Sequence, residues 1–460
     1  MKGFVPTPAS VVDLMVEKLF TIDSPRADTT LLDPGCGRGA FVDGVIRWCA
    51  AHDVPIPRIR GIESDMAHVR FLRERFSEVA SVEIINEDFL AAHEGSYDFI
   101  IGNPPYVSIT ALSETEKELY RRSFFAAKGR FDLYLLFLEQ ALRLLKPCGR
   151  LVFITPEKYL YTETAAPLRK LLSKHRVEEF HFLDEHTFAG FVTYPLVTTV
   201  NADGPTEVSR VIERDGSKRS IAWTPGEFSW IPVIRGAPHS NPSLKLADVS
   251  VRISCGIATG ADSVFVVRNS ALPAELHPYA YPSVAGRDIV SCELPALERS
   301  LLVPYDSTGT LLPERQLGSL GEYLSVPSRR AKLLARTCVL SKPWYAFHET
   351  PPLKHVLRPK IICKDIGAAP FFVVDRTGVV IPRHSLYYIV PRSADRIDEL
   401  AEYLNSPVAR RWLRDHCQRA ANNFLRLQSH VLRHLPLPPS LATMATQVEL
   451  EVPLSSRRYA

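Results

Sequence analysis

The chain has 460 residues, of which 46% are hydrophobic and 23% are charged, with a mean hydropathy of −0.03. This composition is typical of a soluble globular protein long enough for two domains, and no run of about 18 apolar residues indicates a membrane span. The eight cysteines and fourteen histidines lack zinc-site spacing, so no metal is predicted. Scattered cysteines also favour a reducing, cytoplasmic compartment.

Helix-like and strand-like segments alternate through the first half of the chain. The helices are predicted at residues 9–20, 39–51, 66–77, 114–127, 132–146 and 164–174. The strands are predicted near residues 30–33, 58–63, 82–86, 97–102, 150–154 and 178–183, with antiparallel additions at 187–212 and 219–223. This alternation predicts an α/β fold with a doubly wound, Rossmann-like parallel sheet.

Polar groups follow the ends of three of these strands. The first strand enters a glycine-rich turn with the spacing G-x-G-x-G, Gly35 to Gly39, which lets the backbone approach a ligand closely. The second strand ends on Glu63, which is suited to bind ribose hydroxyls. The third is followed by Asp88 and Phe89, a pair suited to the amino group and the ring of an adenine. Strand ends of a parallel sheet are where ligands bind, so these groups predict one site.

The fourth strand ends on Asn103-Pro104-Pro105-Tyr106. Two prolines cannot continue a sheet ladder, because neither has an N–H to donate. If the carbonyls of Asn103 and Pro104 both accept hydrogen bonds from one exocyclic amine, its lone pair leaves conjugation and becomes nucleophilic. Tyr106 is placed to stack on the ring that carries the amine. The alternative is a plain Pro-Pro turn after a strand.

These motifs, in this order, resemble the gamma-class, TaqI-like N6-adenine DNA methyltransferases that use S-adenosylmethionine. The resemblance implies catalysis by Asn103, Pro104, Pro105 and Tyr106, and contact of the target base with Tyr106 and Phe188. It implies that the cofactor is bound by Thr7, Asp33, Pro34, Gly35, Cys36, Gly37, Glu63, Ser64, Asp88, Phe89, Asn103 and Phe137. Cys148 stands where the family usually has a glycine.

Charge divides unevenly between the halves of the chain. Residues 1–240 carry a net charge of −4, and residues 241–460 carry +8. A basic C-terminal half predicts contact with a polyanion, although chance asymmetry is the alternative. The basic residues cluster at 329–342 and 408–426, and short strands such as 263–267 and 370–374 replace long helices.

The predicted organisation is therefore a catalytic domain at 1–235, an α+β target-recognition domain at 236–440 that begins with a linker at 236–242, and a poorly ordered tail at 441–460. The resemblance implies double-stranded DNA as the partner and no association with a membrane. It also allows a separate restriction endonuclease as a second partner. A fused endonuclease is not expected, because the chain starts at the cofactor motif. Three alternatives stay open: a release-factor glutamine methyltransferase, an rRNA adenine methyltransferase, and a non-catalytic DNA-binding subunit.

Overall fold

The computed structural model describes residues 5–91, 95–188, 190, 193–225, 229–237, 243–420 and 424–446. The chain divides into two compact units, Met1–His239 and Ser240–Ala460, and each has its own apolar core. Most of the predicted linker, 238–242, and most of the predicted tail, 447–460, lie outside the described residues. In the part of the chain that is described, no helix combines the length and the apolar character that a membrane span requires.

The first unit alternates helices with strands. Its helices are α1 Ala9–Phe20, α2 Ala40–His52, α3 Met66–Arg75, α4 Glu114–Ser123, α5 Leu133–Leu144, α6 Ala166–Leu172 and α7 Ile231–Ile234. Its strands are β1 Thr30–Pro34, β2 Arg58–Glu63, β3 Val82–Asn86, β4 Tyr97–Gly102, β5 Leu145–Pro156, β6 Arg176–Phe182, β7 Pro195–Asn201, β8 Val208–Ile212 and β9 Lys218–Ala222.

These strands form one sheet in the order β3-β2-β1-β4-β5-β7-β6-β8-β9. The pairs from β3 to β5 are parallel, β7 runs antiparallel to both β5 and β6, and β9 runs antiparallel to β8. The doubly wound α/β fold is confirmed. The predicted antiparallel additions are confirmed for β7 and β9, whereas β8 pairs antiparallel with β9 but parallel with β6. A strand's side-chain alternation has the same period in either direction, so it cannot distinguish the two.

The sheet is covered on both faces, as a parallel sheet requires. Successive residues of β1 and of β4 pack into different apolar clusters: Leu31 and Ile101 pack with α1, α2 and α3, whereas Leu32 and Ile100 pack with α5 and α6. This alternation follows from the period of two along a strand. Both clusters hold the strand ends in fixed positions, and the predicted ligand groups follow those ends.

Two local features differ from the sequence expectation. Helix α4 ends at Ser123 rather than near residue 127, because Phe124 is buried in an extended conformation. Cys148 has a φ of 61°, a left-handed conformation that favours glycine. Its backbone therefore keeps the glycine-like geometry although the residue is a cysteine.

The second unit is built from shorter elements. Its helices are α8 Asp262–Phe265, α9 Gly318–Ser325, α10 Pro327–Leu334, α11 Leu353–Val356, α12 Ile397–Asn405, α13 Pro407–His416, α14 Ser429–Arg433 and α15 Thr443–Thr446. Its strands are β10 Ser250–Cys255, β11 Val266–Arg268, β12 Ala280–Val284, β13 Arg299–Leu302, β14 Lys360–Lys364, β15 Ile366–Gly367, β16 Phe372–Asp375, β17 Ile381–Pro382, β18 Leu386–Pro391, β19 Gln418–Ala420 and β20 Phe424–Arg426.

The strands of the second unit form small sheets. Two have four strands, in the orders β10-β18-β14-β16 and β11-β13-β12-β17, and a third has the order β15-β20-β19. The predicted strand at 263–267 is wrong at its start, because residues 262–265 form the helical turn α8 and the strand begins at Val266. Within the turn Val264 and Phe265 are both buried, so the apolar run that suggested a strand is explained by burial alone.

Candidate active site

A cavity of about 620 Å³ lies at the carboxyl ends of β1, β2 and β4 in the first unit. Its wall includes ten of the predicted site residues: Thr7, Gly35, Cys36, Gly37, Glu63, Ser64, Asp88, Asn103, Pro105 and Phe137. The other predicted residues are not part of that wall: Asp33, Pro34, Phe89, Pro104, Tyr106 and Phe188. The structure thus brings the glycine turn, Glu63, Asp88 and Asn103 to one cavity.

The turn between β1 and α2 forms the floor of this cavity. Gly35, Gly37 and Gly39 all have positive φ angles, of 74°, 57° and 78°. A Cβ on Gly39 would lie 2.7 Å from a methyl group of Leu72, so a side chain at this positive φ would be strained and would displace Leu72. The backbone N–H of Gly35 donates to the carbonyl of Ile62 over 2.8 Å, which fixes the turn to the end of β2.

Glu63 connects the glycine turn to the next loop. One of its carboxylate oxygens accepts from the backbone N–H of Gly37 over 2.9 Å, and the other from that of Asp65 over 2.7 Å. A carboxylate offers about four lone-pair sites. Glu63 is nearly fully buried yet lies in the cavity wall, so it can accept further hydrogen bonds from a ligand's hydroxyl groups.

Asp33, at the end of β1, is an acid without a hydrogen-bond partner. Its side chain is fully buried, and neither carboxylate oxygen accepts a hydrogen bond. Burial, and secondarily the nearby charge of Glu63, raise the pKa of this carboxyl well above its usual value. A buried polar group left unpaired destabilises the fold, and a buried acid with a strongly raised pKa is a candidate functional residue. A cationic or hydrogen-bond-donating ligand would satisfy it.

The substitution Asp33→Asn is expected to raise the unfolding free energy of the ligand-free protein at pH 8, by about 1–3 kcal/mol. An acid whose pKa is raised in the folded state contributes stability below its unfolded pKa and loses it as the pH rises through the folded pKa. The gain from asparagine should therefore grow as the pH rises from about 4. Urea unfolding at pH 5 and pH 8 measures the difference.

Asp98→Asn is the matched control for this prediction. The partial burial of Asp98 is outweighed by hydrogen bonds from Lys146 and Thr30, so its pKa is lowered. Its replacement should therefore reduce stability at pH 8, the opposite sign. A loss of stability in both variants at pH 8 would contradict the description of Asp33 as an unpaired acid.

Asn103, the first residue after β4, is held by the N-terminal segment. Its side-chain nitrogen donates to the carbonyl of Val5 over 3.2 Å and to the hydroxyl of Thr7 over 3.1 Å. Its side-chain oxygen is buried and accepts no hydrogen bond. Pro104 is buried behind it, and the carbonyl of Pro105 accepts from the N–H of Val107 over 3.1 Å. The Asn103 oxygen is therefore an unpaired side-chain acceptor on a residue of the cavity wall.

The aromatic ring of Tyr106 packs against two other rings. Its centroid lies 6.3 Å from that of Tyr134 and 6.4 Å from that of Phe188, with interplanar angles of 74° and 87°. Its hydroxyl is buried without a hydrogen-bond partner, and burial raises its pKa. Because Tyr106 and Phe188 meet edge to face, the predicted stacking of a base between them requires the two rings to separate.

Asp88 and Phe89, the pair predicted to bind the adenine, lie in different layers, because only Asp88 is part of the cavity wall. Asp88 lies in the wall, and its carboxylate accepts from the backbone N–H of Leu90 over 2.9 Å. Phe89 is buried behind Phe137, with ring centroids 5.0 Å apart. The wall residue of this aromatic pair is thus Phe137, and the role predicted for Phe89 stays a prediction.

Part of the wall was not predicted from the sequence. Tyr120 and Glu116 of α4, with Leu112 before it, line the cavity, and the Tyr120 hydroxyl lies 3.5 Å from a carboxylate oxygen of Asp88. The available signal was the capping box of α4, in which Ser113 and Glu116 satisfy each other's backbone N–H. That signal fixes where the helix begins but not which strand ends it faces.

The chemistry of the cavity residues fits a nucleoside with a charged tail. The acids suit hydroxyl or amino groups, the aromatic wall suits a ring, and the glycine turn permits close approach. Among the described residues, no group of three or more histidine, cysteine or acidic side chains is arranged to hold a metal ion.

Comparison with known proteins gives matches in both units. Residues 60–188 match the Eco57I restriction-modification methylase family, and residues 321–437 match the TaqI-like C-terminal specificity domain. The first match spans Glu63, Asp88 and the segment Asn103–Tyr106, and it ends at Phe188. The glycine turn lies before its start.

Two type II methyltransferases are similar to this chain along nearly its whole length. The type II methyltransferase M.PaeR7I of Pseudomonas aeruginosa is 28% identical over 95% of this chain and 86% of its own length. M.XhoI of Xanthomonas vasicola is 24% identical over 95% of this chain and 91% of its own length. The type IIL restriction-modification enzyme MmeI, solved in complex with DNA, shares the fold with a TM-score of 0.63 at 14% identity, over 93% of this chain and 64% of that one. Together these matches support a TaqI-like restriction-modification methyltransferase.

Proposed function

We propose that this DNA methyltransferase transfers a methyl group from S-adenosylmethionine to the N6 amine of an adenine that has left the double helix. The observation that carries the proposal is the side-chain oxygen of Asn103, which is buried, unpaired and placed after the strand end that borders the cavity. An acceptor in that state suits a ligand that brings an N–H donor, and an exocyclic amine is such a ligand.

The cavity supports S-adenosylmethionine as the methyl donor. Glu63 would accept from the ribose hydroxyls and Asp88 from the adenine amino group, while the buried Asp33, which is not part of the wall, would compensate the positive charge of the methionine amine. The glycine turn from Gly35 to Gly37 permits close approach of the methionine part. When bound, the cofactor supplies an electrophilic methyl group on a positively charged sulfur.

The chain's own contribution is to position and activate the amine. The oxygen of Asn103 and the carbonyl of Pro104 accept the two amine hydrogens, so the nitrogen lone pair turns away from the ring and toward the methyl group. The N–CH₃ bond forms as the S–CH₃ bond breaks, and the amine then loses one proton. The target adenine must leave the base stack first, which costs roughly a few kcal/mol. Most of the rate enhancement would come from orientation and electrostatics.

The second unit supports DNA as the substrate over the two alternatives that use a different polymer. A glutamine side chain or an rRNA target gives no role to a specificity domain at 321–437. Not every basic residue there is available to phosphates, however. Arg336 donates to the carbonyls of Thr259 and Trp344, so its guanidinium stabilises the unit itself. Arg330 lies over the ring of Trp344, 4.9 Å from its centroid, and is exposed.

A separate restriction endonuclease is the protein partner that this function implies. RM.Eco57I of Escherichia coli, described as a restriction enzyme and methyltransferase, is 29% identical over 26% of this chain but only 13% of its own length. The match therefore gives no restriction activity to this chain, and a separate endonuclease is the partner that remains to be tested.

Substitutions of Tyr106 test the capture of the extruded adenine. Tyr106→Ala should weaken binding of the extruded base by about 1–3 kcal/mol, because stacking on one aromatic ring is worth about that much. Tyr106→Phe should retain most of the activity and lose no stability, since it removes a buried hydroxyl that has no partner. The fluorescence of 2-aminopurine at the target position reports unstacking, alongside the methylation rate. Methylation by the wild type without a rise in that fluorescence would contradict base flipping.

A further inference from the structure

The segment Val5–Pro8 contacts the reactive asparagine directly. The amide nitrogen of Asn103 has two hydrogens, and both are used: one on the carbonyl of Val5, 3.2 Å away, and one on the hydroxyl of Thr7, 3.1 Å away. The carbonyl of Val5 can only accept, so the nitrogen of the amide must face this segment. The oxygen must therefore face the other way.

The direction of this amide decides whether Asn103 can act at all. The two ends of an asparagine amide have nearly the same shape but opposite hydrogen-bonding character. With the oxygen toward the cavity, the side chain accepts from a substrate amine. Rotated by half a turn, it would present its own N–H groups to the amine's N–H groups. That arrangement gives no hydrogen bond and cannot draw the lone pair out of conjugation.

The segment is stiff enough to hold this orientation. Pro6 and Pro8 fix two of its φ angles, and Pro8 is the N-cap of α1, where its carbonyl accepts from the N–H of Val11 and Val12 over 3.0 Å each. Helix α1 is in turn anchored in the apolar core by Met15 and Val16, which are fully buried. Little conformational freedom is lost when Thr7 binds the amide, so a single hydrogen bond contributes efficiently.

We propose that Thr7 is a positioning residue that keeps the acceptor oxygen of Asn103 directed at the substrate amine. The proposal rests on the function proposed above and differs from the expectation that Thr7 is only a cofactor contact. Thr7 lies in the cavity wall beside Asn103, so cofactor contact and amide positioning make different kinetic predictions. A cofactor contact affects binding of S-adenosylmethionine, whereas a positioning residue affects the rate of methyl transfer.

The test compares Thr7→Val with Thr7→Ser in the full-length protein. Valine keeps the shape of threonine but cannot accept from the amide, whereas serine can. With saturating S-adenosylmethionine and duplex DNA, the single-turnover rate of Thr7→Val should fall about five- to tenfold, the loss expected for one hydrogen bond. Its dissociation constants for cofactor and DNA should change less than about twofold, and Thr7→Ser should restore most of the rate.

Thr199→Val is the matched control, because Thr199 lies on β7 and its buried hydroxyl has no hydrogen-bond partner. Its single-turnover rate should equal that of the wild type. In an Asn103→Ala background, Thr7→Val should lower the residual rate no further, since Thr7 acts through the amide that is gone. A further fall of fivefold or more in that background would overturn the proposal.

The remaining outcomes are also decisive. Weaker cofactor binding by Thr7→Val with an unchanged saturated rate would make Thr7 a cofactor contact and overturn the positioning role. An unchanged rate and unchanged affinities would overturn it as well. If Thr7→Val fails to fold, Thr7→Ala takes its place with the same expected loss. If the wild type itself transfers no methyl group to DNA, the proposed function fails, and that outcome is separate from the role of Thr7.

Discussion

Replacing Asn103 with alanine is expected to lower the single-turnover rate of methyl transfer about 10²- to 10³-fold. The lost oxygen is the unpaired acceptor in the cavity wall, and in the proposed mechanism it accepts from the amine in the transition state. Loss of one preorganised hydrogen-bonding group at a reacting centre commonly has this magnitude. Because the interaction forms mainly in the transition state, kcat should fall far more than KM rises. Rapid-quench assays with labelled S-adenosylmethionine measure the single-turnover rate, and steady-state assays with the same label measure kcat and KM.

Asn201→Ala provides the control for that experiment. Asn201, at the end of β7, uses its side-chain oxygen to accept from the backbone N–H of Asp203 over 2.8 Å in a turn. Its replacement should leave the rate unchanged. Calorimetry should show that Asn103→Ala still binds the cofactor within about threefold of the wild type, since most of the predicted contacts remain. A variant that keeps the wild-type rate would remove Asn103 from the mechanism.

The substitution Asp375→Ala should reduce the stability of the second unit by about 3–5 kcal/mol. Asp375 and Lys360 form a fully buried ion pair with an O–N distance of 2.6 Å across β14 and β16. Asp375 also accepts from the backbone N–H of Gly378 and Val380 over 3.1 Å each. Removal of the carboxylate leaves a buried lysine whose pKa is already lowered by burial, and it leaves those N–H groups unpaired. Urea unfolding of the full chain measures the effect.

A nearby exposed pair gives the comparison. Arg376 and Asp398 also form an ion pair, but both side chains are more than half exposed. Asp398→Ala should therefore cost at most about 1 kcal/mol. The double variant Lys360→Met with Asp375→Leu should cost much less than Asp375→Ala, because it leaves no unpaired charge. Equal losses in Asp375→Ala and Asp398→Ala would show that burial of the pair is unimportant.

The elements of the first unit were predictable from the sequence because its strands are buried on both faces and end abruptly. The predicted helix at 9–20 and the predicted strands at 58–63 and 97–102 agree with α1, β2 and β4 residue for residue. Parallel strands leave their polar residues at one edge, so the meeting of Glu63 and Asn103 at one cavity followed from their positions alone.

Other features depend on contacts between residues distant in sequence. The hydrogen bond between Thr7 and Asn103 joins residues 96 positions apart, and no local pattern encodes it. The edge-to-face packing of Tyr106 on Phe188 is of the same kind. The wall formed by Tyr120 depends on how α4 folds back after the Pro-Pro turn. In the second unit, short strands carry too few alternating residues to distinguish them from a buried turn such as α8.

Identification of the methylated base tests the proposed methyl transfer to adenine N6 directly. Duplex DNA is incubated with the protein and S-adenosylmethionine that carries a labelled methyl group, then digested to nucleosides and separated by chromatography. We expect all label incorporated by the wild type in N6-methyl-2′-deoxyadenosine, and about 10²-fold less incorporation by Asn103→Ala. Label in N4-methyl-2′-deoxycytidine, or no label in DNA at all, would contradict methyl transfer to adenine N6.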